Sequence, residues 1–173
     1  MAWSKKKAPA AKVGLHIAAV VGFVVLLLWA AGEDLRRLTI PNWVSLAMIG
    51  LYPVHVLASP VPVNWPIALA VAVATFAAGF FLFALKMVGG GDVKLLAATS
   101  LWAGPALILS FIFITAIAGG VIGLAMLLLQ RRRAVPVSVD NEHGAAPAVM
   151  PYGVAIAVGG LMVALTLLKG TNL

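Results

Sequence analysis

Along this chain the hydrophobic positions fall into long blocks separated by short polar breaks, and the strict alternation that marks a strand is absent. The first block, Val13 to Ala31, has His16 as its polar interruption. At about 1.5 Å per residue it covers the roughly 30 Å of hydrocarbon in a bilayer, which predicts a spanning helix. Its basic flank and the Ala30-Ala31-Gly32 end resemble a secretory signal, but the run is long for a signal core and further apolar blocks follow. Trp43 to Ala58 is a second block, short for a span, with Pro53 predicting a kink and His55 near its end. Trp65 to Val88 predicts a third helix of full spanning length. Asp92 to Gln130, taken as one helix, would be about 60 Å long, about twice what a bilayer needs. The segment is therefore expected to fold back, with Trp102-Ala103-Gly104-Pro105 as the turn. That leaves a short helix from Val93 to Ala103 and a long one from Pro105 to Leu129. The short piece cannot cross lipid unaided, so it must lean on neighbouring helices or line a wet cavity. Pro151 to Leu168 closes the series, with a proline suited to a helix start.

The expected fold is all-α: a polytopic integral membrane protein with about six transmembrane helices, the fourth short. Residues 1–12 form a basic tail, and 13–173 a single membrane domain with a polar loop at 130–150. Composition agrees, because 63% hydrophobic and 10% charged residues exclude both a soluble globular domain and a disordered chain. The absence of cysteine removes a disulfide framework, a thiol nucleophile and a zinc–thiolate site. The formal charge of +7 is clustered as Lys5, Lys6, Lys7 and Lys12, and again as Arg131, Arg132 and Arg133, beside apolar runs. Such placement suits the anionic headgroups of a lipid bilayer, and no nucleic-acid partner is expected. The pairs Gly119-Gly120 and Gly159-Gly160 predict close helix approach inside the spans.

With only 5 acidic residues, each is informative, since ionisable groups near hydrocarbon are costly and tend to be functional. Asp140 and Glu142 fall in the polar loop. Glu33 and Asp34 close the first span, and Asp92 lies between the third and fourth segments. Two crossings separate Asp34 from Asp92, so both emerge on one face of the membrane. Two more segments bring Met150-Pro151-Tyr152-Gly153 back to that face. Two carboxyls on one rim, partly shielded from water, can hold a single proton between them. One then takes a proton from water while the other gives one to a carbonyl oxygen, which is the requirement for peptide hydrolysis by paired acids. Gly89, Gly90 and Gly91 would let backbone approach a substrate and place Asp92 at a helix start.

Residue types alone leave other readings open. Asp34 could join Arg36 and Arg37 in an interfacial ion cluster, and Asp92 could be a plain helix cap. Lys94 could snorkel or pair with Asp92. His16 and His55 read as packing residues, and no metal site or other cofactor is expected. A small proton-coupled membrane transporter, with Asp92 and Lys94 as a relay, is the alternative from another class. The acids stand at segment ends and not at midplane depth, which favours hydrolysis.

Three motifs then carry a resemblance: Asp34-Leu35-Arg36-Arg37-Leu38-Thr39-Ile40-Pro41-Asn42, Gly89-Gly90-Gly91-Asp92-Val93-Lys94 and Pro151-Tyr152-Gly153-Val154-Ala155-Ile156. In this order on apolar segments, the sequence resembles the type IV prepilin leader peptidases, in the short form associated with tight-adherence (Flp-type) pili. The resemblance implies an aspartic endopeptidase that removes basic leaders from prepilins and pseudopilins on the cytoplasmic side of the bacterial inner membrane, beside the pilus assembly machinery. It implies Asp34, in preference to Glu33, and Asp92 as the catalytic pair. Pro41, Asn42, Gly89, Gly91, Lys94, Pro151, Tyr152 and Gly153 become candidates for shaping the site or binding substrate. Long members of the family carry a cysteine-bearing soluble insert and methylate the new N-terminus; this chain has neither cysteine nor room, so cleavage without N-methyltransferase activity is expected. A cytoplasmic aspartate face puts Arg36, Arg37, Lys86, Lys94 and Arg131 to Arg133 inside against Lys169 outside, which obeys the positive-inside rule. It also exports Lys5, Lys6, Lys7 and Lys12, against the same rule.

Overall fold

The computed structural model describes residues 10–132 and 151–170. Among them are five helices: α1 (Ala10–Arg37), α2 (Asn42–Ala58), α3 (Trp65–Ala84), α4 (Gly90–Arg132) and α5 (Tyr152–Lys169). The all-α expectation stands, and the count of six spanning helices is corrected. Four of the helices, α1, α3, α4 and α5, are long and apolar enough to cross a membrane, while α2 is apolar but 17 residues long. Helix α4 holds the two helices expected on either side of residue 104, and the chain reverses between them at that single residue with no loop. Gly104, at φ 56 and ψ −172, is the only non-helical residue inside α4. Pro105 disfavours the α region for the residue before it, and glycine alone takes the left-handed alternative without strain.

Contacts along α4 follow the reversal. Near its start Val93 packs on Gly79 of α3, Gly104 lies beside Ala68 at the other end of α3, and farther on Gly119 meets Tyr152 at the start of α5. The arm 90–103 thus runs away from the Asp92 end and the arm 105–132 returns to it. The short arm does lean on its neighbours: Val93, Leu95, Ala98, Thr99, Ser100, Leu101, Trp102 and Ala103 are all buried. The Trp102 indole N–H donates to the Met48 carbonyl of α2 at 3.0 Å. Phe23 and Leu27 of α1, Met48 of α2, Leu95 and Phe111 of α4, and Ile156 and Val163 of α5 complete the core. Gly159 and Gly160 let α5 close on Phe111, Thr115 and Leu27, as expected of that pair. A Cβ on Gly120 would meet nothing within 4 Å, so the expectation for Gly119-Gly120 holds for Gly119 alone.

Two boundaries differ from expectation. Helix α1 continues through Asp34 to Arg37, so the carboxyl sits on a helix and not in a loop after it. Helix α3 stops at Ala84, four residues before the expected end at Val88, because Lys86 turns left-handed at φ 59. Helix α2 runs through Pro53 without a break. The tail residues 1–9, with Lys5 to Lys7, and the loop from 133 to 150, with Asp140 and Glu142, lie outside the described residues; Gln130 to Arg132 belong to α4.

The reversal makes a testable demand. A Cβ on Gly104 would meet only Ala68, at 3.7 Å, so there is space for it, and the cost of Gly104→Ala is conformational. We expect it to lower stability by about 1–3 kcal/mol, read as thermal unfolding in detergent. Gly50, exposed on α2 with nothing within 4 Å, serves as the control, where Ala should add about 0.5–1 kcal/mol.

Candidate active site

Asp34 comes to the site from the last turns of α1, buried to 4% exposure. Its Oδ2 accepts the Gly153 backbone N–H at 2.7 Å, and the Val154 N–H is a second backbone partner. Both donors belong to the first turn of α5, whose N–H groups have no partner within the helix and whose dipole favours a carboxylate. Pro151, the residue before α5, supplies no side-chain cap. Asp34 therefore caps α5 from another helix. The fit leaves no room for a side chain, since a Cβ on Gly153 would stand 2.8 Å from Asp34 Oδ2 and 3.0 Å from its Cβ and Cγ.

Asp92 is the third residue of α4 and reaches back to the Gly89 backbone N–H, while the Gly89 carbonyl accepts from Val93 N–H at 3.2 Å. The Val93 bond is the ordinary first bond of the helix, and the approach of the Asp92 carboxyl to Gly89 is the half of a capping box made by the third residue. Asp92 is thus not the N-cap residue of the alternative reading, and its carboxyl stays on a cavity wall. A Cβ on Gly89 would lie 2.8 Å from Asp92 Oδ2, so the first glycine of the motif makes way for the acid itself. Gly91 has a different partner. Its Cβ would stand 3.2 Å from Ile40 Cβ and 3.4 Å from the Ile40 backbone N and O.

That close approach seats the segment between α1 and α2 on the first turn of α4. Lys94 Nζ fastens it by donating to Asn42 Oδ1 at 2.8 Å. Asn42 opens α2 just after Pro41, whose extended φ −63 and ψ 136 turn the chain. The clasp ties the end of α1, which carries Asp34, to the start of α4, which carries Asp92. The two carboxyls come close enough to act on each other electrostatically. Lys94 is thus a partner of Asn42 and not of Asp92. The ion pair expected around Asp34 belongs to Glu33, which meets Arg37 at 3.3 Å across one helical turn.

Both acids open on one cavity of about 810 Å³. Leu38, Thr39, Ile40 and Asn42 line it from the α1–α2 side, and Phe83, Ala84, Lys86, Met87 and Val88 from the end of α3. Gly89, Gly90, Gly91 and Tyr152 complete the walls. Of the residues singled out from sequence, Asp34, Asp92, Asn42, Gly89, Gly91 and Tyr152 meet here, whereas Pro41, Lys94, Pro151 and Gly153 are not in its lining; Lys94 and Gly153 bond the lining residues Asn42 and Asp34. The stretch 83–88 was not foreseen as lining, because it reads as the apolar end of the third span. His16 and His55 are buried with ring centroids 4.9 Å apart, beside Tyr52 and Trp102 and away from the cavity.

Compared with known protein families, the chain matches the type IV leader peptidase family over residues 21–124. No curated protein and no solved structure matches the chain.

Proposed function

This chain belongs to the type IV leader peptidase family, and from that premise we propose that it is a membrane-embedded aspartic endopeptidase with Asp34 and Asp92 as its catalytic pair. Its substrates are prepilins and pseudopilins, cut at the cytoplasmic face of the bacterial inner membrane in the service of pilus assembly. The observation that carries the proposal is the convergence of two carboxyls, from α1 and α4, on one cavity at a common end of the helices. A water held between them loses a proton to the ionised carboxyl and attacks the scissile carbonyl, whose oxygen takes the proton of the other. The tetrahedral adduct collapses as the amide nitrogen is protonated, and the pair returns to one shared proton. A cavity at the helix ends suits a precursor whose apolar segment lies in the bilayer with its leader at the rim. Cleavage without methylation is part of the proposal, since the internal stretch 133–150 is too short for a further catalytic domain. A transporter relay through Asp92 and Lys94 has no support, because the ammonium group bonds Asn42 instead.

Co-expression with a prepilin tests this directly: the pilin band should shift by the mass of the leader on a gel, and a precursor left at full length would sink the proposal. Orientation is checked separately with a reporter fused near Asp140, which should read cytoplasmic. The clasp supplies a third test. Lys94→Met and Asn42→Ala should each lower kcat between about tenfold and a hundredfold by loosening the spacing of the two acids, with precursor binding little changed. Parental turnover in both variants would show that the clasp positions nothing.

A further inference from the structure

Three described residues take a positive φ: Gly104, Leu38 at 51° and Lys86 at 59°. The two that are not glycine both line the cavity holding Asp34 and Asp92. Each sits just beyond a helix, at the position where glycine is the usual residue because a Cβ disfavours the left-handed conformation. The Leu38 N–H donates to the carbonyl of Asp34 at 2.9 Å, closing α1 with a single left-handed turn. At the end of α3 the Lys86 N–H donates to Phe83 O at 2.8 Å and the Met87 N–H to Leu82 O at 3.0 Å, the paired bonds of a Schellman cap. Glycine would close both caps without strain. Non-glycine residues held left-handed concentrate where the side chain itself has a use, and here the pair flanks the candidate dyad from the two segments that border it.

Leu38 shares the apolar chemistry of much of the wall, while Lys86 departs from it. Among the described residues Lys86 is the one cation lining the cavity, and it makes no ion pair there with Asp34 or Asp92; the ion pair among the described side chains is Glu33 with Arg37. Leu38 stands beside Ile40 as apolar lining. We propose that Leu38 and Lys86 determine specificity: Leu38 receives an apolar side chain of the precursor and Lys86 a carboxylate of it, near the scissile bond. The proposal rests on the peptidase function above.

The test uses full-length protein in detergent with a purified prepilin, and compares the parent with Leu38→Gly, Lys86→Gly and Lys86→Arg. Both glycine variants should melt at or above the parental temperature while kcat/KM falls about tenfold, chiefly through KM. Lys86→Arg should keep most of the activity. A prepilin whose junction acids are changed to Asn and Gln should lose the same factor with the parent and nothing further with Lys86→Gly. Glycine variants that cut at the parental kcat/KM, or that melt lower, overturn the inference and leave the peptidase standing. A loss confined to kcat with a displaced pH profile also overturns it, because Lys86 would then act on the acids and not on the substrate. A parent that cuts no prepilin overturns the peptidase function and this inference together.

Discussion

Asp34→Asn and Asp92→Asn, each inserted and folded like the parent, should leave a co-expressed prepilin uncut, with turnover lower by about three orders of magnitude or more. The substitutions change almost nothing but the proton chemistry. An asparagine at position 34 still offers an oxygen to the Gly153 N–H now bonded at 2.7 Å, though it forfeits the second acceptor and the negative charge at the start of α5. An asparagine at 92 can likewise accept from Gly89, so the first turn of α4 keeps its cap. Neither variant has a carboxyl to take a proton from water at that position, nor to hand one back. Paired acids act as a unit, so the double variant should be no slower than either single one. Leader loss at the parental rate in either single variant, with insertion verified by protease protection, would end the claim that these two residues perform the chemistry.

How much of this site could be read in the sequence depends on which physical constraint was involved. The common face of Asp34, Asp92 and Tyr152 was legible because a bilayer turns segment length into topology, and counting crossings then needs no contact information. That count holds because α4 is two helices that reverse direction at Gly104, as the sequence predicts. The reversal itself was legible from Gly104-Pro105, two residues whose backbone preferences leave few conformations. What stayed hidden were relations between segments. Gly91 reads as a flexible turn residue, yet its role is to admit the Ile40 backbone, which would stand 3.4 Å from a Cβ placed there, and nothing local reveals that neighbour. Lys94 stands two residues from Asp92, and sequence proximity suggested a pairing that helix geometry does not favour; its ammonium finds Asn42 at 2.8 Å instead. Lys86 looked like a loop charge at the end of an apolar run because its left-handed backbone, which ends α3 early, has no signature in residue type.

Gly153→Ala should be the most damaging substitution that leaves every polar group of the site in place. By helix propensity alone it would stabilise α5 by about 0.5–1 kcal/mol, so the expected sign is the reverse of the local one. The new Cβ would stand 2.8 Å from Asp34 Oδ2 and 3.0 Å from Asp34 Cβ and Cγ. All three atoms belong to one short, buried side chain rooted in α1, and rotating the carboxyl relieves only the contact with the oxygen. Either the start of α5 moves away or Asp34 is displaced, and both break the Gly153 N–H bond to the carboxylate. A buried carboxylate stripped of such a partner costs about 1–3 kcal/mol. The displaced acid should also lower leader cleavage about a hundredfold, because misplacement by about 1 Å suffices for that. Gly32→Ala gives the contrast on the Asp34 helix itself, where a Cβ meets nothing within 4 Å, so stability should rise by about 0.5–1 kcal/mol while cleavage stays at the parental rate. The two alanine variants, assayed side by side for unfolding in detergent and for leader loss, separate the fit of α5 against Asp34 from any general intolerance of a methyl group at this end of the bundle. A Gly153→Ala protein that cuts like the parent would mean that the contact between α5 and Asp34 has no part in placing the acid.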